Sequence, residues 1–222
     1  MSLGENIRER RKALGLTQEE VNAIVPVSKM KELVMERTAA NASNTFYKLN
    51  PQVSDLPDKL AKEINGVKLL VMGTVDTGGS GCVCPEHVML KALLSSLVFR
   101  KDDVVVMDME AGLEHLGRGT ASLVDQFIVV IEPGARSIQT YEKVKKLAGD
   151  LGVTDVKVVA NKVRDEDDEA FIRANIPEEA LLGILHYNSE VIDADRRGLS
   201  PYDVSPAMVE EIRQIKARMD QK

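Results

Sequence analysis

Two thiols stand close together in this sequence and could hold a metal ion. Cys82 and Cys84 are the only cysteines of the chain and lie in the segment GGSGCVCPE, residues 78–86. Residues two apart in an extended backbone point to the same side, so both thiolates can bind one soft or borderline metal ion. Two thiolates do not complete a four-ligand site, and the rest would come from His87, His115 or the same pair in a second subunit. Two incidental buried cysteines and a redox pair are the other interpretations.

A second candidate site lies where the apolar run VVVMD ends in Asp108 and continues to Gly112. An acidic side chain at the carboxyl end of a parallel strand faces the ligand crevice of an α/β sheet. A glycine amide can approach a phosphate closely because no Cβ stands in the way. The pattern predicts Asp108 and Gly112 as catalytic residues that sense Mg²⁺ and a γ-phosphate. The alternative is an acidic residue in a solvated loop after a strand.

A third candidate is the run VVANKV, residues 158–163, which places Asn161 and Lys162 at the end of another apolar segment. An asparagine side chain carries both a donor and an acceptor, which suits it to read a nucleotide base, although Asn-Lys pairs are common. The phosphate-binding motif GxxxxGK[ST], whose amides and lysine cradle phosphates, does not occur in the 222 residues. The stretch GTVDTGGSG, residues 73–81, has glycines but no lysine.

The elements that must position these residues alternate between strand and helix patterns from Val67 onward. The apolar runs are rich in Val and Ile, as in strands that are covered on both faces of a parallel sheet. The predicted strands are Val67–Met72, Val104–Met109, Phe127–Glu132, Val156–Asn161 and Leu181–Leu185. The predicted helices are Glu86–Val98, a segment around His115–Val124, Ser137–Leu151, Glu166–Asn175, Ser189–Arg197 and Pro206–Met219 with Ser205 as its cap. The chain is therefore expected to have an α/β fold with a mostly parallel, doubly wound sheet.

The first 66 residues are predicted to be a helical and loop segment of the same domain, with the α/β core over residues 67–222. Residues 4–36 have helical patterns that resemble the opening of a helix-turn-helix repressor. Pro26 stands where those repressors favour glycine, and residues 1–40 carry seven Lys and Arg against six Asp and Glu, so DNA binding is disfavoured. Residues 38–66 are predicted to form an ordered loop with one short helix, docked through Phe46, Tyr47 and Leu49. A flexible linker is the alternative.

The composition limits the classes of function. Hydrophobic residues make up 44% of the chain and aromatic residues 4%, so the core is expected to be aliphatic. The net charge of -6 argues against binding to a polyanion such as nucleic acid. No run reaches the about 18 apolar residues of a membrane span, and there is no signal peptide pattern. The cysteine usage suits a reducing cytoplasm.

Together, these segments resemble the CooC-type accessory ATPases that support nickel insertion into carbon monoxide dehydrogenase. Those proteins belong to the MinD and nitrogenase-iron-protein branch of the P-loop NTPases, with a SIMIBI-type fold. The resemblance extends over nearly the whole chain from about Ile24. Its most specific parts are CVCPE and DMEAGLEHLGRGT, and NGVKLLVMGTVDTGGSG, IVVIEPGARSIQT and VANKVRDEDDEAFIR support it. The resemblance implies ATP and Mg²⁺ as ligands, a homodimer, and carbon monoxide dehydrogenase as the partner enzyme.

The resemblance also implies roles for single residues. Cys82 and Cys84 match a pair that binds Ni²⁺ or Zn²⁺ at a dimer interface. The segment 108–112 matches the switch that senses the γ-phosphate and Mg²⁺. Asn161, followed by Lys162, matches the asparagine that reads adenine.

A loop that flanks the base is matched by LHYNSEV, residues 185–191, which supplies His186 and Tyr187 as further nucleotide-binding candidates. Here His186 and Asn188 stand where the family pattern has Pro and Asp.

The main departure from the family concerns the front of the chain. Members of the family begin with a strand, a phosphate-binding loop, a helix and a second strand, and by this comparison roughly 35–40 residues are absent from the front of the chain. The expected fold therefore lacks its first strand, its P-loop helix and its second strand, and these 222 residues are expected to bind ATP poorly. The alternatives are a non-catalytic metal-binding or scaffold protein and another ATPase of the MinD type.

Overall fold

The computed structural model describes residues 25–40, 47–64, 66–71, 85–98, 104–108 and 124–221. These residues fall into two compact units, one that ends at Asp108 and one that begins at Val124. The helices predicted before residue 25, the segment predicted around His115 and the loop with both cysteines lie outside the described residues. No helix in the described ranges is both long enough and apolar enough to cross a lipid bilayer.

The described part of the first unit contains a short 3-10 helix, three α-helices and a two-stranded hairpin. A short 3-10 helix, Val27–Lys29, precedes α1, Lys31–Thr38. The other two helices are α2, Leu56–Leu60, and α3, Pro85–Val98. Their shared core is aliphatic, as the composition predicts, and consists of Val27, Val34, Val53, Leu56, Met89 and Leu93. The helix predicted over Glu86–Val98 and the short helix predicted in residues 38–66 are both confirmed.

An ion pair holds the segment before α2 against α1. Both terminal nitrogens of Arg37 donate to the Asp55 carboxylate, at 3.0 and 2.9 Å, and Lys59 Nζ donates to the same carboxylate at 2.7 Å. The prediction of an ordered loop in this part of the chain is thus confirmed. Docking through Leu49 is wrong, because Leu49 is 68% exposed and the aliphatic side chains nearer to α2 fill the core instead. Phe46 lies outside the described residues.

A two-stranded hairpin replaces the first of the predicted parallel strands. Strand β1, Lys62–Ile64, pairs antiparallel with β2, Val67–Leu69. The prediction of a parallel core strand over Val67–Met72 is therefore wrong. The sequence has Asn-Gly between the two strands, and this pair is favoured in two-residue hairpin turns because glycine tolerates a positive φ. Gly66 has a φ of 80°.

The strand predicted over Val104–Met109 is also wrong for the part that the structure describes. Residues 104–108 form an irregular segment, and Val104 and Val106 are 92% and 85% exposed. A run of β-branched residues favours a strand only where a neighbour pairs with it and covers its side chains. The valines of this segment have no such cover among the described residues.

The second unit alternates between strands and helices as the sequence predicts. Its strands are β3, Phe127–Ile131, β4, Val156–Val163, and β5, Leu181–His186. Its helices are α4, Ala135–Asp150, α5, Glu166–Asn175, α6, Ser189–Arg197, α7, Pro201–Val204, and α8, Pro206–Met219. Three of the predicted parallel strands are thus confirmed, with bounds that differ by two residues or fewer.

The three strands form a parallel sheet in the order β3-β4-β5, and helices cover both of its faces. On one face, Val158 and Ala160 of β4 join a core with Tyr141 and Ala148 of α4 and with the inner side of α5. On the other face, Val159 of β4 packs with residues of β5 and α8. Consecutive residues of one strand therefore belong to different cores, as in a doubly wound sheet.

Capping side chains mark two of the helix starts. Asp165 accepts from the backbone N–H of Asp168 at 2.9 Å at the start of α5, and Asn188 accepts from the N–H of Glu190 at 2.8 Å at the start of α6. Ser205 precedes α8 as predicted. Its side chain makes no capping hydrogen bond within the described residues and accepts instead from the Asn188 side chain.

Candidate functional site

The carboxyl ends of β4 and β5 bring four of the predicted site residues to one edge of the sheet. Val163 of β4 lies opposite His186 of β5, and the backbone N–H of Tyr187 donates to the Val163 carbonyl at 2.8 Å. Asn161 and Lys162 directly precede Val163. In parallel sheets, this edge is where ligands bind. The edge therefore carries the predicted nucleotide-binding residues Asn161, Lys162, His186 and Tyr187.

Asn161 and Lys162 lie where β4 departs from regular pairing. The register with β5 shifts between Ala160 and Val163, and Lys162 has a φ of 59°, in the left-handed region. This conformation costs a non-glycine residue about 1–2 kcal/mol. The Lys162 N–H donates to Asn161 Oδ1 at 3.0 Å. Backbone strain and irregular pairing are features that recur next to functional sites.

The same contact settles the orientation of the Asn161 amide, because an N–H donor must meet the oxygen and not the nitrogen. The Asn161 side chain is half-buried. Its oxygen is bound to the backbone, and its NH₂ group supplies donors. An amide that is held in this way can pair with the edge of a base.

The Lys162 ammonium points to the neighbouring strand end. Its Nζ lies 2.6 Å from Glu132 Oε1, just after β3, and both side chains are more than half exposed. An exposed pair of this kind stabilises the fold by at most about 1 kcal/mol. It can be broken at low cost when a charged ligand arrives.

Helix α8 contacts the end of β5 through Glu211. Glu211 Oε2 accepts from the His186 backbone N–H at 3.1 Å, and Glu211 Oε1 lies 2.7 Å from His186 Nδ1. The His186 side chain is 54% exposed and that of Glu211 is 27% exposed. Tyr187 is 52% exposed. The edge therefore presents one imidazole and one phenol ring with accessible surface.

The loop after β5 has a second contact to the start of α8. Asn188 Nδ2 donates to Ser205 Oγ at 2.8 Å, while Asn188 Oδ1 caps α6. Ser205 is fully buried. Residues 186–188 are therefore held by β4, α6 and α8 together.

An ion pair between Arg164 and Asp168 stabilises the turn after β4. Arg164 Nε and its backbone N–H both donate to Asp168 Oδ2, at 2.9 and 3.1 Å. These hydrogen bonds, the side-chain one first, hold the pKa of Asp168 below its usual value. Asp168 also donates its N–H to Asp165. The turn that follows Asn161 and Lys162 is thus fixed by reciprocal hydrogen bonds at the start of α5.

Four further predicted site residues are Asp108, Gly112, Cys82 and Cys84. Asp108 is described and exposed, at the end of the irregular segment of the first unit, so its predicted position at the end of a strand is wrong. Its role, like that of Gly112, stays a prediction. Cys82, Cys84 and Gly112 lie outside the described residues. Within the described ranges, no cluster of three or more His, Cys, Asp or Glu side chains could hold a metal ion.

Sequence reasoning missed Glu132 and Glu211. Glu132 has a weak signal, because it follows an apolar run whose end must lie beside the end of β4 in a parallel sheet. Glu211 has none, because it lies 25 residues beyond His186 in a charged helix. Only the packing of α8 against β5 brings it to the site.

Curated proteins of known sequence show which family this chain resembles. No protein-family model matches the chain. The chain is 44% identical over 196 residues to the carbon monoxide dehydrogenase accessory protein CooC of Rhodospirillum rubrum, which covers 88% of this chain and 74% of that protein. It is 43% identical over 208 residues to an uncharacterised ATP-binding protein of Methanocaldococcus jannaschii, covering 91% of this chain and 79% of that one.

The fold is similar to that of a solved structure, the MinC:MinD cell division protein complex of Aquifex aeolicus. The TM-score is 0.63, and the match covers 97% of this chain and 80% of that chain at 16% sequence identity. This likeness supports the predicted α/β fold of the MinD type. At this identity it carries no further inference about function.

Proposed function

This chain belongs to the CooC family of carbon monoxide dehydrogenase accessory proteins, and we propose that it is an accessory ATPase that supports nickel insertion into carbon monoxide dehydrogenase. The observation that carries the proposal is the 44% identity to CooC over 88% of the chain. The carboxyl edge of β4 and β5 adds physical support, because it is the edge at which parallel sheets bind ligands.

In this proposal, the edge of the second unit binds the base of ATP. Asn161 supplies the donors of its fixed amide, and Tyr187 supplies an aromatic face beside His186. Lys162 is released from Glu132 when the nucleotide arrives. Asp108 and Gly112 would serve Mg²⁺ and the γ-phosphate. Hydrolysis of ATP to ADP and phosphate supplies the energy.

The metal is the cargo in this proposal, and Cys82 and Cys84 bind it as Ni²⁺ or Zn²⁺. Two thiolates leave a tetrahedral ion half-coordinated, and the same pair from a second subunit would complete a site of four cysteines. ATP binding brings two subunits together and aligns the two cysteine pairs. Hydrolysis opens the dimer and releases the ion to the partner enzyme. A reducing cytoplasm is the expected location because it keeps the thiols reduced.

The metal site is tested with a Cys82→Ser, Cys84→Ser double variant. We expect the double variant to lose stoichiometric Ni²⁺ or Zn²⁺ binding, because serine hydroxyls are poor ligands for borderline metals. Metal content after gel filtration and mass from light scattering, with and without Ni²⁺, measure binding and dimerisation together. Val83→Ala, which changes the residue between the two thiols, is the matched control. Unchanged metal stoichiometry in the double variant would refute the site.

ATP binding is a separate part of the proposal. The 222 residues contain no GxxxxGK[ST] motif, so we infer that they alone bind ATP weakly, through the base more than through the phosphates. Equilibrium dialysis with ATP and Mg²⁺ tests this, and micromolar affinity would contradict it. A second candidate is a metal-binding scaffold without ATPase activity, which the pair Cys82 and Cys84 favours. Phosphate release by the full chain at saturating ATP separates the two candidates.

A further inference from the structure

The contact between Glu211 and His186 constrains the chemistry of the imidazole. At neutral pH a glutamate side chain is a carboxylate, which has acceptors only. Its Oε2 already accepts from the His186 backbone N–H, and its Oε1 lies 2.7 Å from His186 Nδ1. A short contact between a carboxylate oxygen and a ring nitrogen requires a proton on that nitrogen. The geometry therefore places a proton on Nδ1 of His186, which in the neutral imidazole is the Nδ1–H form.

The assignment fixes what the other ring nitrogen can do. In a neutral imidazole that carries its proton on Nδ1, Nε2 holds a lone pair and acts as an acceptor. More than half of the His186 side chain is exposed, so a ligand can reach the ring. The carboxylate that fixes the proton lies on the helix side of the ring. His186 thus offers a hydrogen-bond acceptor at the carboxyl edge of the sheet.

The backbone around the ring is held firmly enough for this acceptor to have a fixed position. The N–H of Tyr187 is bound to the Val163 carbonyl at 2.8 Å. Asn188 is bound to Ser205 Oγ on one side and to the Glu190 N–H on the other. A ligand that uses the acceptor therefore loses little free energy in ordering the loop.

We propose that Glu211 is a positioning residue that sets base selectivity at this edge, by holding His186 in the form whose Nε2 accepts from an exocyclic amino group. Adenine carries such a donor at N6, whereas guanine carries an acceptor, O6, at the corresponding position. Two acceptors face each other when guanine enters. The inference rests on the proposed binding of a nucleotide base at this edge. It predicts a preference for adenine over guanine of about fivefold, the ratio that one hydrogen bond supplies.

The variant Glu211→Gln tests the mechanism because it exchanges one acceptor for a donor. A glutamine has a single oxygen, which we expect to accept from the His186 N–H. Its NH₂ group then faces Nδ1 and donates to it, so the ring proton moves to Nε2. The outward nitrogen becomes a donor, and the preference for adenine should be lost or reversed. Glu210→Gln is the matched control, because Glu210 pairs with Arg213 on its own helix.

The experiment has two independent readouts on the full chain. Nitrogen-15 NMR of histidine-labelled protein at pH 8 reports which ring nitrogen carries the proton, and a His186→Gln variant assigns the signals among the three histidines. Ligand-detected NMR titrations with AMP and GMP measure base preference even when affinity is weak. We expect the Nδ1–H form and a preference for AMP in the wild type and in Glu210→Gln. We expect the Nε2–H form in Glu211→Gln, with the preference for AMP lost.

The two readouts separate the possible failures. An Nε2–H or doubly protonated ring in the wild type overturns the inference directly, whatever happens to the variant. The Nδ1–H form with equal binding of AMP and GMP also overturns it and leaves base binding at this edge intact. If neither nucleotide binds the wild type, the proposed base site itself is refuted, and the inference with it. A Glu211→Gln variant that fails to fold leaves the wild-type measurements decisive.

Discussion

Helix α8 reaches the sheet through a glycine, and adding one methyl group there should disturb the candidate site. A Cβ built on Gly183 of β5 would lie 2.5 Å from Ile215 Cγ1 and 3.3 Å from Ile215 Cδ1. Ordinary carbon contacts are about 3.5–4.0 Å, so Gly183→Ala forces the two elements apart by roughly 1 Å. Ile215 is nearly buried, and a β-branched residue in a helix has one strongly preferred χ1 rotamer. The helix must therefore move as a body.

The expected cost follows from overpacking. Inserting a methyl group into a closely packed contact costs about 1–3 kcal/mol of the free energy of unfolding. Ile215→Ala alone should cost about 2–4 kcal/mol because it leaves a cavity. In the double variant Gly183→Ala, Ile215→Ala, the added methyl group occupies that cavity. The double variant should therefore lose less unfolding free energy than the sum of the two single losses, by at least about 1 kcal/mol.

Urea denaturation followed by circular dichroism measures these free energies. Gly149→Ala is the control, because a Cβ at this position of α4 meets no atom within 4 Å. Alanine is preferred to glycine in helices, so the control should gain about 0.5–1 kcal/mol. Additive effects of Gly183→Ala and Ile215→Ala would refute the reasoning. Glu211 lies one helical turn before Ile215, so Gly183→Ala should also weaken the contact of Glu211 with His186.

Two further predictions concern single side chains. The hydrogen bonds from Lys59 and then Arg37 lower the pKa of Asp55 from its ordinary 3.8 to about 2. A carboxylate with a depressed pKa stabilises the fold above its unfolded-state pKa and loses this effect as the pH falls to the folded-state value. Asp55→Asn should therefore reduce the loss of unfolding free energy between about pH 4 and pH 2 in urea titrations. Glu32→Gln, a change in the first turn of α1, is the control, and an unchanged dependence of the unfolding free energy on pH in Asp55→Asn would contradict this. The Lys162→Gly variant should have a free energy of unfolding about 1 kcal/mol higher than that of the Lys162→Ala variant. Both variants lack the surface ion pair, and only glycine relieves the strain of the left-handed backbone. Equal stability of the two variants in thermal unfolding would count against that strain.

The sequence was most informative where side chains satisfy the ends of helices. The predicted bounds Glu166–Asn175, Ser189–Arg197 and Pro206–Met219 are those of the structure. Asp165 and Asn188 stand immediately before two of these helices and accept from their first free amides. A local hydrogen bond of this kind is encoded within four residues. Local encoding explains why helical patterns in the sequence located these elements closely.

The two wrong strands show what local patterns leave out. Valine-rich runs at Val67 and Val104 resemble those of β3 and β4, yet a strand also depends on what pairs with it and covers it. The first run, β2, pairs with β1, which precedes it in the chain. The Asn-Gly pair between them in the sequence is a hairpin signal. The second run is exposed in the structure. Composition could not distinguish it from a buried strand.

The candidate site divides in the same way between local and long-range information. Asn161 and His186 could be placed at one edge from the sequence, because the carboxyl ends of neighbouring parallel strands coincide. The hydrogen-bonding state of each side chain could not be predicted from the sequence. Asn161 is oriented by an N–H that irregular pairing makes available, and His186 is oriented by a carboxylate from a helix 25 residues later. Residue types thus predicted where a base could bind, whereas donors and acceptors at that place are set by packing. The proposed selectivity of the site therefore depends on α8, which contains none of the residues that the sequence marked as functional.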